Sequence, residues 1–400
     1  MRTKITASSL WDGERLLANP VIEIEDGQIA SIASGDADGK SASAGSGVGP
    51  FAGATIAPAF FDVHIHGAAS HDVMEATPEA LGTIGRFLAT RGTGSYLATT
   101  MTAPLDATLR SLEGLADLIE HPEKIEKSAK AAHQTAFPIG IHLEGPFVSA
   151  AKCGVQPKEY LQPTDPAIFD RFYEAAKGHI RLMTVAPELE GAAEFVRHAT
   201  ARGVRVSLGH SDATAEQTYA AIEAGAASGT HTFNAMRALN HREPGILGVV
   251  LTCDKIYAEL ICDGIHSRPE MAKLWWRAKG AERAILITDA MSAAGMPDGE
   301  YHLGGFPVQV ANGRAMARGV LAGSVLTLDR ALANFVEFTD APLERALRLL
   351  TVNPATMAGF ADRVGKLAVG REANMVVVNE RGKLIAAIRN GETVASYSAA

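Results

Sequence analysis

The period of hydrophobic and polar positions changes twice along the chain. Residues 1 to about 33 alternate in short runs, most plainly Pro20-Val21-Ile22-Glu23-Ile24-Glu25, then Asp26-Gly27, then Gln28-Ile29-Ala30-Ser31-Ile32, which predicts a β-hairpin with a two-residue turn. From Ser34 to Gly53 the composition collapses to Gly, Ser, Ala and Asp, which cannot bury a core and predicts an exposed loop without function. Thereafter apolar runs of strand length alternate with longer amphipathic stretches. The predicted strands run from Thr55 to His64, Ser95 to Thr100, Ile139 to Glu144, Arg181 to Ala186, Val204 to His210, Gly229 to Phe233, Tyr257 to Cys262 and Ala284 to Thr288. Predicted helices between or after them include Pro78 to Thr90, Leu105 to Ile119, Ala192 to Arg202, Ala215 to Ala224 and Pro269 to Lys279.

Eight such alternations predict an α/β chain built as a (β/α)8, TIM-like barrel. Beyond Thr288 two more helices are expected, Thr327 to Glu337 and Pro342 to Leu350. Short β runs then return at Met375-Val376-Val377-Val378 and from Lys383 to Ile388, followed by Asn390-Gly391. Neither terminal segment is large enough to form a good core alone. Residues 1–53 and 355–400 are therefore expected to pair into one small β-sandwich domain beside a barrel of residues 54–354.

In a barrel of this kind the active site lies at the C-terminal ends of the strands. Those ends carry His64 and His66, Glu144, His210, His231, Asp263 with His266 beyond it, and Asp289, whereas the opposite ends read mostly Ala, Gly, Val and Ser. His64 and His66 flank one apolar residue, so on a strand they face the same way and can grip one cation. Glu144, His210 and His231 offer a carboxylate and two imidazoles and leave room for water. Asp289 could face such a water as a proton acceptor, or serve as a ligand or an orienter.

Composition narrows the partners. An apolar fraction of 47%, a charged fraction of 20% and 39 glycines describe a compact, enzyme-like globular chain. The net charge is −8 and the 37 basic residues never cluster, which speaks against nucleic acid. An anionic substrate must then be met by a few local cations. Three cysteines, with no CxxC pair, suggest a reducing compartment, and the expected location is the cytoplasm. The opening residues lack the apolar run of a signal peptide, and no 18 apolar residues run together, so no membrane contact is expected.

Several stretches also carry a resemblance. Pro58-Ala59-Phe60-Phe61-Asp62-Val63-His64-Ile65-His66-Gly67, His142-Leu143-Glu144-Gly145-Pro146-Phe147, Gly209-His210-Ser211-Asp212-Ala213-Thr214, Thr230-His231-Thr232-Phe233-Asn234-Ala235-Met236, Arg242-Glu243-Pro244-Gly245 and Thr288-Asp289-Ala290 together resemble the N-acetylglucosamine-6-phosphate deacetylases of the amidohydrolase superfamily. The resemblance runs on to Asn353-Pro354-Ala355 and Gly365-Lys366-Leu367, nearly the whole chain. It implies hydrolysis of an N-acetyl amino sugar phosphate to acetate and the amino sugar phosphate, within amino-sugar metabolism. It implies that Glu144, His210 and His231 hold a divalent metal, that His64 and His66 add a second ion with Glu144 bridging, and that Asp289 accepts the attacking water's proton and passes it to the departing amine. His and carboxylate ligands suit Zn, Fe, Co or Mn. By the same resemblance Asn234, the Ala235 backbone and His266 hold sugar and phosphate, and Arg242 reaches the neighbouring active site of a homodimer. One position departs from the pattern. Lys152-Cys153-Gly154-Val155-Gln156 ends in Gln where the family usually has His, so either the metals do all the polarising of the acetyl carbonyl, or the substrate differs in epimer or acyl group. Cys153 reads as a loop thiol. Rival readings are the galactosamine epimer, another amidase on the same fold, and a non-catalytic scaffold, against which every filled ligand position argues.

Overall fold

Polar side chains are brought inside this protein by strand alternation around a closed sheet. The computed structural model describes residues 2–34, 51–129 and 134–398. Eight strands, β1 (Phe60–Ile65), β2 (Thr93–Thr100), β3 (Phe137–Glu144), β4 (Ile180–Val185), β5 (Arg205–Leu208), β6 (Ser228–Gly229), β7 (Tyr257–Ile261) and β8 (Ala284–Ile287), pair in sequence order, every pair parallel. The barrel closes from β8 to β1 through a bridge between Ile65 and Ala290 and a bond from the Asp289 N–H to the His64 carbonyl at 2.9 Å. Asp62 reinforces that seam by accepting the Thr288 hydroxyl at 2.6 Å, and burial pushes its carboxyl up to about 7.

The helices form where local signals start them. Thr77 caps Pro78–Thr90 by accepting the Ala80 N–H at 3.2 Å, and Thr214 with Gln217 makes a capping box on Ala215–Glu223. The first of these buries Leu81, Ile84 and Leu88 in the main core. Each fully buried side chain of that size contributes about 1.5–3 kcal/mol. No helix among the described residues is long and apolar enough to cross a membrane.

The terminal segments form the small β-sandwich. Arg2–Trp11, Pro20–Glu25, Gln28–Ser34 and Phe51–Pro58 share one hydrogen-bonded path with Met375–Val378, Leu384–Arg389 and Glu392–Ser396. A bridge from Gln28 to Glu372 folds the path back over a common core of Ile22, Ile24, Ile56, Val377 and Ile388.

Four details differ from the sequence reading. Thr55 to His64 is not one strand, because the Ala59 N–H bonds to Asn374 and the Phe60 N–H to Gly92, so the chain changes sheets at that point. Residues 54–58, expected in the barrel, pair with the terminal strands instead. The predicted loop from Ser34 to Gly53 lies mostly outside the described residues, and Ser34 and Phe51 to Gly53 are strand. Finally, a four-stranded antiparallel sheet, Gly299–Leu303, Phe306–Ala311, Arg314–Ala317 and Val320–Leu321, stands where no strand was expected. Gly304-Gly305 and Asn312-Gly313, both hairpin-turn pairs, were its legible signal.

Asp72 fastens this insertion to the barrel, accepting the Gly304 N–H at 2.9 Å and the Met74 N–H at 2.8 Å. Asp72→Ala leaves both donors without that carboxylate and is expected to cost about 1–3 kcal/mol. A urea unfolding midpoint equal to that of the unchanged protein would rule this fastening out.

Candidate active site

The ends of the barrel strands converge on one carboxylate. Glu144, last residue of β3, is 3% exposed, with Oε1 3.3 Å from His64 Nε2 and 3.2 Å from both His210 Nε2 and His231 Nε2. Its Oε2 lies 3.3 Å from His66 Nε2 and accepts the Gln156 amide at 3.0 Å. Asp289 Oδ1 lies 3.2 Å from His66 Nε2 and 3.5 Å from His64 Nε2. Two ligand groups result, His64 with His66 and Glu144, and Glu144 with His210 and His231, the atoms of each within 4.8 Å of one another.

The rings are aimed by what their far nitrogens touch. His66 Nδ1 is 3.0 Å from the Thr99 carbonyl and His210 Nδ1 is 3.0 Å from the Lys152 carbonyl. A carbonyl only accepts, so each Nδ1 carries a proton, and in the neutral ring the Nε2 lone pair is the one turned inward. His210 Nε2 and His231 Nε2 lie 3.1 Å apart, and both point at Glu144 Oε1, so the three atoms face a common point.

Electrostatics act on the same point. Burial works against ionisation of Glu144, yet the His64 and His210 imidazoles outweigh it and hold the carboxyl well below the usual range. Burial likewise opposes a charged His66, but hydrogen bonds to Asp289 and Glu144 push that ring up to about 9. A buried cluster that stabilises cations this strongly fits a divalent metal.

Local backbone supports the placement. His210, His231 and Asp289 hold positive φ of 47°, 27° and 50°, left-handed conformations that cost about 1–3 kcal/mol each. Gly67, next to His66, is required sterically, since a Cβ there would meet the His71 carbonyl oxygen at 2.2 Å.

A cleft of about 270 Å3 opens beside the cluster, lined by His66, Glu144, Gln156, His210, His231, Asn234, Ala235, His266 and Asp289. Sequence reasoning had singled out all of these. It missed the apolar wall of Met101, Val155, Leu303, Val320 and Leu321, part of it supplied by the unforeseen insertion. It also missed Glu259, buried on β7 against His64, although a lone acid inside an apolar strand was a visible signal. Gln156 is tied at both ends, its Oε1 accepting the Thr102 N–H at 2.8 Å. His266 is paired with Asp263 at 2.6 Å, and although burial opposes its charge this bond raises the ring's pKa. Arg242 is not brought to the cleft within one chain; it is exposed, its N–H bonded to the Asn240 side chain at 2.9 Å.

Residues 55–394 match the model of the amidohydrolase family. The chain belongs to the amidohydrolase family. It is therefore a hydrolase of amide carbon–nitrogen bonds. Among its relatives are an N-acetylglucosamine-6-phosphate deacetylase of Lysinibacillus sphaericus, 39% identical over 92% of this chain and 91% of the relative, and an N-acetylgalactosamine-6-phosphate deacetylase of Escherichia coli O157:H7, 38% identical over 81% and 83%. Among solved amidohydrolase structures, a variant of the N-acetyl-D-glucosamine-6-phosphate deacetylase of Mycobacterium smegmatis in complex with N-acetyl-D-glucosamine-6-phosphate superposes with a TM-score of 0.87, at 32% identity, covering 99% of this chain and all of that one.

If the cluster holds metal, loading must stabilise the fold. At about 100 times the dissociation constant the linkage is worth about 2.7 kcal/mol, so chelator-treated protein should melt earlier than the loaded form and recover on readdition. Identical melting curves would argue against a metal in this cluster.

Proposed function

We propose that this amidohydrolase removes the acetyl group from N-acetylglucosamine 6-phosphate, releasing acetate and glucosamine 6-phosphate, in cytoplasmic amino-sugar catabolism and recycling. The observation that carries the reading is the single cleft in which the Glu144-centred cluster, Asp289 and a positively biased His266 stand together. The names of the relatives and the sugar phosphate bound in the mycobacterial structure support the same substrate class. The galactosamine epimer is the second reading, favoured by the E. coli relative and by Gln156 in place of the family's histidine.

His64, His66 and Glu144 would hold one ion and Glu144, His210 and His231 a second, Zn or Fe first and Co or Mn next by ligand type. What a divalent cation supplies in such a site is Lewis acidity toward water and toward the amide carbonyl. The remaining steps belong to the side chains. Burial opposes ionisation of Asp289, but His64 and His66 lower its pKa, so it is an ionised base. It takes the proton of the attacking water as the new carbon–oxygen bond forms, then returns it to the amine nitrogen as the carbon–nitrogen bond breaks. Asn234, Ala235 and His266 line the cleft, where Asn234 and the Ala235 backbone would hold the sugar and His266 the phosphate. Arg242, exposed on its own chain, supplies a guanidinium fork to the phosphate of a neighbouring subunit in a homodimer.

Two measurements test this. Charge-assisted contacts contribute about 1.5–3 kcal/mol each, so kcat/KM for the 6-phosphate should exceed that for unphosphorylated N-acetylglucosamine by at least about 100-fold, with Arg242→Ala eroding the difference. Equal turnover of the two sugars would sink the phosphate site, and the galactosamine 6-phosphate in the same panel decides the epimer. Asp289→Asn should lower kcat by about 100- to 10,000-fold with metal content nearly unchanged. Extensive metal loss would make Asp289 chiefly a ligand.

A further inference from the structure

Glu259 lies on β7 between Ala258 and Leu260 and exposes none of its surface. Barrel interiors are filled mainly by branched apolar side chains, and a carboxylate there is costly unless its oxygens are bonded. Its Oε2 accepts the His231 N–H at 3.3 Å and lies 3.5 Å from His64 Nδ1, while its Oε1 accepts the Ser228 hydroxyl at 3.5 Å. No lysine or arginine among the described residues pairs with it, and it does not line the cleft. Its partners therefore include one residue from each candidate ligand group.

We propose that Glu259 is a positioning residue for the metal centre, accepting the Nδ1–H of His64 so that the Nε2 lone pair of that ring faces the ion held with His66 and Glu144. The inference rests on the two-ion reading of the site. It adds an asymmetry to that reading. His66 and His210 are aimed by the neutral carbonyls of Thr99 and Lys152, whereas His64 alone has an anionic partner behind it. A carboxylate on the far nitrogen raises the basicity of the near one and strengthens it as a ligand. The same Oε2 also holds the backbone of His231, at its left-handed φ of 27°. The His64 ion should nevertheless depend on Glu259 more than the His210–His231 ion, because only His64 receives the charge through its ring.

The measurement is metal per subunit after dialysis, with dissociation constants from chelator competition using Zn alone. Glu259→Gln can keep an acceptor toward His64 and His231 without the charge, and it should weaken one ion by about 10- to 100-fold while leaving the other. Glu259→Leu should retain one ion after dialysis. In a His64→Asn background, Glu259→Gln should leave the remaining ion within about twofold, since interaction through His64 is already gone. Unchanged affinities in Glu259→Gln overturn the inference while leaving two ions in place. Equal weakening in the His64→Asn background overturns it as well, by showing that Glu259 acts through the fold. A single ion in the unchanged protein overturns the two-ion reading and this inference with it. Should Glu259→Leu fail to fold, the glutamine variant decides alone.

Discussion

One carboxylate surrounded by four imidazoles is the constraint around which this structure is built. Glu144 cannot stay ionised at 3% exposure unless positive charge reaches it, and the Nε2 atoms of His64, His66, His210 and His231 are all within 3.3 Å. The rings can approach so closely only if their far sides are fixed. The Thr99 and Lys152 carbonyls do this for two of them, and strained backbone at His210 and His231 brings two of the four rings off their strands. Such strain is tolerated because the strands beneath it are paired on both sides and the surrounding helices bury the apolar surface that supplies stability.

Every residue of β1 is buried, Phe61 and Val63 in an apolar cluster and Asp62 and His64 on polar partners, so one strand serves packing and chemistry together. Asp62 seals the barrel to Thr288, and His64 reaches the centre. Below them lies a polar layer, where His142 bonds Thr184, Thr184 meets Thr230 and Thr230 bonds Ser207, all buried. A single buried polar group would be costly, but this connected chain satisfies its hydroxyls, and the His142 ring at its end packs edge-on to His64 with centroids 4.5 Å apart. Burial and the positive field of His64 keep the pKa of His142 well below its ordinary value, so this neighbour stays neutral beside the cluster.

How much of this could be read from the residues depended on whether the signal was periodic or relational. Strand order, helix starts and the one-sided chemistry of the strand ends follow from local alternation, and Pro78–Thr90 emerged with the expected limits. The switch of sheets at Ala59 was invisible because both halves are apolar and extended; only the bonds to Asn374 and Gly92 separate them. The insertion after β8 carried hairpin turns that went unread because its strands expose alternate faces and lack the long apolar run of a barrel strand. Arg242 shows the limit of a single chain, for no local pattern tells an exposed arginine from one that serves a neighbour.

Gln156 is where sequence and geometry inform each other most. A residue type alone left open whether the amide faces substrate or protein. The Thr102 N–H pins Oε1 and so turns the NH2 group toward Glu144, where one donor is already spent. A histidine at this position would set a fifth titratable ring beside a carboxylate that already answers to four. The amide donates to the same oxygen and carries no proton-dependent charge. In this chain the charge balance at Glu144 is therefore set by the four surrounding imidazoles, and position 156 contributes a neutral hydrogen bond to that balance.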